Sequence, residues 1–154
     1  EIRPRRGAII VPVDKERLGY AFEAAAELEA LAASWAAARA TLIERKELEK
    51  FHLEGAQAFE QNDPERFAAV NRHFHDRISE LARNPSLAEA VSAVRVQTAP
   101  FQKAQFTHYE NMEASQKEHE QIIDAISFQD TETARRLMKE HIIRASLWVL
   151  EEMD

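Results

Sequence analysis

DPERFAAVNRHFHDRISELARNPSL, residues 63–87, carries two helix starts and one complete helix between them. At Asp63-Pro64 and again at Asn84-Pro85, a short polar side chain can accept the free amide protons of an opening turn. The proline that follows lacks an N–H at a position where none has a helical partner. Between the two signals, Phe67, Val70, Asn71, Phe74, His75, Ile78 and Leu81 recur at three- and four-residue steps, one face of an amphipathic helix. The same grammar extends in both directions. Asp14 caps a first helix over roughly 15–38, and Thr41 with Glu44 forms a capping box for a second that ends near Glu60. A fourth helix starts at Pro85, and Pro100 should kink or end it. Asn111 precedes a fifth, and Asp130 separates that from a sixth running to the C-terminus. Six helices with short connections predict an all-α antiparallel bundle.

Composition agrees. The chain has 154 residues, 45% of them apolar and 31% charged, with 3 Gly and 5 Pro, enough for one sizeable helical core. A net charge of −7 argues against a surface built for nucleic acid or an anionic membrane. Without cysteine there is neither disulfide nor thiolate metal site, which is compatible with a cytoplasmic setting. No run approaches 18 apolar residues, so no membrane span is expected. The opening EIRPRRGAIIVPV differs from the rest and reads as a strand or extended arm, which places a boundary near residue 13.

Three helices carry a histidine on the stripe they should bury: His75 on the third, His119 ahead of Ile122, Ile123 and Ile126 on the fifth, and His141 among Ala134, Leu137, Met138, Ala145 and Trp148 on the sixth. One imidazole on an apolar face is ordinarily a core residue with a hydrogen-bond partner. Three on three helices of one small bundle can satisfy one another through a divalent cation, because neutral imidazole is a common metal ligand. His73 lies about 200° around the helix from His75, and His52 and His108 lack partners at helical spacing, so these three are read as solvated or peripheral. One turn from the candidate ligands, the same-helix neighbours include Ser115, Gln116 and Arg144 but no carboxylate. Glu118, Glu120 and Glu140 are turned about 100° away from the adjacent histidines. Arg95, beside the Leu87, Val91, Val94, Thr98 stripe, adds positive charge. With no base beside the site, the pattern suits an anion held by metal and guanidinium better than metal-dependent hydrolysis.

Two stretches, NRHFHDRISELARNPSL (71–87) and EHEQIIDAISFQDTETARRLMKEHI (118–142), resemble the C-terminal effector-binding domain, FCD, of FadR-type transcription regulators in the GntR family. Shared features are an aromatic-His pair before an Asn-Pro-x-Leu helix start, a His leading an Ile-rich turn, an Asp-led break, and a His in the middle of the last helix. The resemblance covers about residues 14–154. It implies a bundle of six to seven helices that dimerises and binds a divalent metal, with a small effector, often an organic acid, beside the metal. It further implies that effector binding controls an attached winged helix-turn-helix domain, for which residues 1–13 resemble the end of the wing and the linker. DNA would be reached only through that domain. Transferred residue by residue, the metal ligands are Asn71, His75, His119 and His141; Arg95, Arg144, Gln116 and Ser115 are the candidate effector contacts. Zn, Ni and Mn all fit three imidazoles and an oxygen.

Two positions depart from the family pattern. Asn71 stands where most metal-binding members have Asp, so the site keeps the cation's full charge. Ala25, three residues before the Leu28-Glu29 pair, stands where many have Arg. Two other readings stay open on the residues alone: a hydrolase with a three-histidine metal site, and a metal-free structural dimerisation bundle whose histidines hydrogen-bond to one another.

Overall fold

The structure is a computed structural model that describes residues 14–153; the extended arm expected over 1–13 lies outside them. Seven α-helices follow in order: α1 (Lys15–Arg39), α2 (Leu42–Glu60), α3 (Pro64–Leu81), α4 (Pro85–Thr98), the single turn α5 (Gln102–Gln105), α6 (Tyr109–Ser127) and α7 (Thr131–Glu151). No strand occurs among the described residues.

The expected caps form. Asp14 Oδ1 accepts from Glu16 N, Asp63 Oδ1 from Arg66 N, Asn84 Oδ1 from Leu87 N and Asp130 Oδ1 from Thr133 N, all at 2.9–3.0 Å. Thr41 and Glu44 exchange both bonds of a capping box. Pro100 ends α4: the chain passes through a 3-10 turn, Ala99–Phe101, into α5. One boundary differs from expectation. The fifth long helix starts at Tyr109, ahead of Asn111, with His108 at the cap position and no side-chain bond there. Asn111 Nδ2 donates instead to the Gln105 carbonyl (2.9 Å), tying α6 back to α5.

Three connections use left-handed residues that are not glycine: Asn62 (φ 49°), Arg83 (φ 52°) and Gln129 (φ 58°). After α2 and α6 they close a Schellman motif. Asp63 N donates to Ala58 O and Asn62 N to Phe59 O; Asp130 N donates to Ala125 O and Gln129 N to Ile126 O. The next residue is in each case the cap of the following helix, which keeps these connections short and the helices antiparallel.

α1 is the centre of the bundle and packs against α7, α4, α3 and α6. Eight of its buried residues are alanines: 21, 25, 26, 30, 32, 33, 36 and 37. Small side chains let neighbouring helices approach closely, so α1 brings α3 and α7 together around one line. A second, smaller cluster of Ala58, Phe67, Ala68, Phe106 and Met112 closes the end formed by α2, α3 and the loop before α6. No helix among the described residues is long and apolar enough to cross a membrane.

Candidate metal and ligand site

α3, α6 and α7 present His75, His119 and His141 to one point, all three at most 5% exposed. One ring nitrogen of each lies within 4.8 Å of the others. His141 Nε2 is 3.2 Å from His75 Nε2 and 3.2 Å from His119 Nε2. An ion about 2.1 Å from two imidazole nitrogens, at angles of roughly 90–110°, would space them about 3.0–3.4 Å apart. Both pairs made by His141 are at ligand spacing.

The far sides of two rings are held by carboxylates. His75 Nδ1 donates to Glu29 Oε2 and His141 Nδ1 to Glu118 Oε2, both at 2.6 Å. A carboxylate only accepts, so each Nδ1 carries a proton, and in the neutral ring each Nε2 then keeps its lone pair. Two such lone pairs meet at 3.2 Å between His75 and His141, where neutral rings cannot donate to each other. His119 can offer its own Nε2–H to His141 but leaves that pair unresolved. A cation at the shared point removes the conflict. Asn71 Oδ1 lines the same cavity, buried and without a hydrogen-bond partner. A lone buried acceptor costs about 1–3 kcal/mol unless something binds it. The donor set fits a divalent metal: three imidazole nitrogens and one amide oxygen.

Burial pushes His75 below its ordinary value against the opposing pull of Glu29, and pushes His119 well below, with His141, His75 and His52 adding to the effect. For Glu29, burial works to raise the carboxyl, but the His75 ring and the Arg95 guanidinium prevail and hold it below the usual carboxylate range. For His75 and His119 burial thus favours the neutral imidazole, the ligating form.

Beside the trio is a cavity of about 30 Å³, lined by Asn71, His75, His141, Glu29, Arg95 and Ala25 among others. It is large enough for about two waters or for the head group of a ligand. Arg95 ion-pairs with Asp76 (2.5 Å) and approaches Glu29 (3.6 Å), so it faces the cavity as a partly engaged cation. The other predicted contacts are elsewhere. Arg144 is half exposed on the α6–α7 groove, ion-paired with Glu118 (2.6 Å). Gln116 Nε2 turns to α2 and donates to the His52 carbonyl (2.7 Å). Ser115 is fully buried, its Oγ unpartnered, and does not line the cavity. His73 is exposed, and His108 reaches Glu152 at the surface.

The expectation that no carboxylate stands near the site is overturned by Glu29 and Glu118. Same-helix neighbour rules cannot see either. Glu118 is turned away from His119, as its position requires, and for that reason reaches His141 on the next helix. Glu29 had a visible signal: it is the one charged residue on an alanine-lined face of α1, four after Ala25 and three after Ala26. Thr98, the last member of the α4 stripe, also lines the cavity, with Gln102 and Gln105, which come after the break at Pro100 and follow no periodicity.

Comparison with known proteins agrees with this architecture. The chain superposes on E. coli McbR/YncC with a TM-score of 0.85 and 22% identity, covering 92% of this chain and 68% of that one. It superposes with a TM-score of 0.75 and 20% identity on a structure of Lar, which controls the expression of the Listeria monocytogenes agr system, covering 90% and 66%. At these identities the likeness carries the fold, and the chain spans about two thirds of each structure's length. None of the curated proteins matches the chain. The model of the FCD domain matches residues 20–144, a span that includes Glu29, Asn71 and all three converging histidines. The chain belongs to the FCD domain family.

Proposed function

We propose that this domain is the ligand sensor of a bacterial, cytoplasmic transcription regulator of the GntR type. In this reading it holds a divalent cation on Asn71, His75, His119 and His141 and uses that cation, with Arg95, to bind a small anionic metabolite such as an organic acid. Binding then controls DNA contact by an attached winged helix-turn-helix domain, in a homodimer. The single observation that carries the proposal is the meeting of three buried Nε2 atoms, two with lone pairs fixed by carboxylates, beside a cavity that also holds Arg95.

Charge supports an anion. The ligand set is neutral, and each nearby carboxylate is answered by a guanidinium, Glu29 by Arg95 and Glu118 by Arg144. When bound, the metal supplies a +2 charge with no anionic ligand to offset it, and a carboxylate is the natural complement. The hydrolase reading loses support at the same point. Glu29 and Glu118 touch Nδ1 atoms, on the far side of the rings from the shared point, and both are already engaged, so neither stands free as a general base.

The test is elemental analysis of untagged protein with the variant His119→Ala. Wild type should carry close to one divalent ion per chain and the variant almost none, with an unchanged far-UV circular dichroism spectrum. Metal retained by the variant would sink the ligand assignment. A panel of mono- and dicarboxylates should raise the melting temperature of the zinc-loaded protein and leave the chelated protein unmoved.

A further inference from the structure

We propose that Glu29 and Glu118 are positioning residues: each accepts the Nδ1–H hydrogen bond of one histidine and so commits His75 and His141 to Nε2 lone-pair donation before any cation arrives. The use of this arrangement rests on the metal reading above; its geometry does not.

A neutral imidazole can carry its proton on either nitrogen, and the wrong choice would point an N–H at the shared point and block it. At 2.6 Å to a carboxylate, the Nδ1–H tautomer gains a charge-assisted bond on both His75 and His141. Each carboxylate is itself steadied from behind. Arg95 Nε lies 3.6 Å from Glu29 Oε1, and Arg144 Nη1 lies 2.6 Å from Glu118 Oε1. The resulting chains, His75–Glu29–Arg95 and His141–Glu118–Arg144, orient the rings while adding no net charge. Histidine ligands held this way by outer carboxylates are better donors and less free to rotate.

The third ring is different. Among the described residues no carboxylate meets His119; its face packs on Phe74 with ring centroids 4.3 Å apart. Its direction is set by apolar packing and its tautomer is left open. The helices divide the work accordingly. α1 lends Glu29 to α3, and α6 supplies both a ligand, His119, and, one residue earlier, the brace for its neighbour on α7. Nothing in a single helix predicts this pairing.

The experiment uses the whole domain, ¹⁵N-labelled and stripped of metal by a chelator, at mildly alkaline pH. Long-range ¹H–¹⁵N correlation spectra report which ring nitrogen is protonated. His75 and His141 should both show Nδ1–H. In Glu118→Ala, His141 should lose that signature and zinc affinity, measured by competition with a chromophoric chelator, should fall about 10–100-fold. Glu118→Gln keeps a neutral acceptor, so it should hold the tautomer and recover most of the affinity. Glu29→Gln should do likewise for His75, which guards against a misfolded alanine variant. Nε2–H on either ring in the wild type, or wild-type zinc affinity in folded Glu118→Ala, would overturn the proposal. The expected tautomers in a wild-type protein that takes up no zinc would support it and overturn the metal reading instead.

Discussion

Asn71 shows how much a single atom decides. Its amide oxygen is buried and unpartnered beside His75 and His141, and an aspartate there would add a negative charge directly at the shared point. Coulomb attraction at that distance, even at a protein-like dielectric, is several kcal/mol before the desolvation of the new carboxylate is subtracted. Asn71→Asp should therefore tighten zinc binding at least about tenfold, which a chelator competition would read, while weakening the zinc-loaded protein's response to carboxylates. Equal affinity in the two proteins would mean that residue 71 does not face the cation. At this scale the sequence was a partial guide. Periodicity found the three histidines, because burial on a stripe is a property of one helix. It missed the Glu29 and Glu118 contacts, because those are made between helices, and it drew in Gln116, whose amide is committed to α2.

Helix boundaries were legible wherever an Asx, Thr or proline marked them and illegible where the backbone alone decided. α6 starts without a side-chain cap, and no residue type announces Tyr109. The left-handed positions after α3 and α6 are equally silent, since Arg83 and Gln129 occupy places where glycine or asparagine is usual; Asn62 after α2 is of the favoured type. That conformation costs a residue with a Cβ about 1–2 kcal/mol. Gln129→Gly should accordingly raise stability by about 0.5–1 kcal/mol after the added freedom of the unfolded chain is subtracted, checked by urea denaturation; a loss would show that the Gln129 side chain holds the turn. Gly19 offers the opposite case. It lies inside α1, and an added Cβ would meet nothing within 4 Å. Gly19→Ala should stabilise by about 0.5–1 kcal/mol. Gly55→Ala should gain less, because its Cβ would stand 2.6 Å from Gln116 Oε1 and that amide would have to shift from its bond to the His52 carbonyl.

For the molecule as a whole, the interior is unusual in holding three imidazoles at one point, and this ties stability to acidity. His75 and His119 bind protons more weakly folded than unfolded, chiefly because burial disfavours the charged ring. The stabilisation is complete above the unfolded value near 6.5 and declines as pH falls from there toward the folded values. Chelated protein should lose melting temperature steadily between about pH 7 and pH 5, and a His75→Gln, His119→Gln variant should lose less over the same interval. The fold class itself was readable from the chain, since caps and stripes repeat through every long helix. How those helices associate was not, because it depends on the alanines of α1, which carry almost no periodic signal. Those alanines have one more effect. Ala25 and Ala145 wall the cavity beside the histidines, and a methyl group has no alternative rotamer to adopt. On that wall a guest too bulky for the space meets groups that cannot swing aside, so room is made there only by moving α1 or α7.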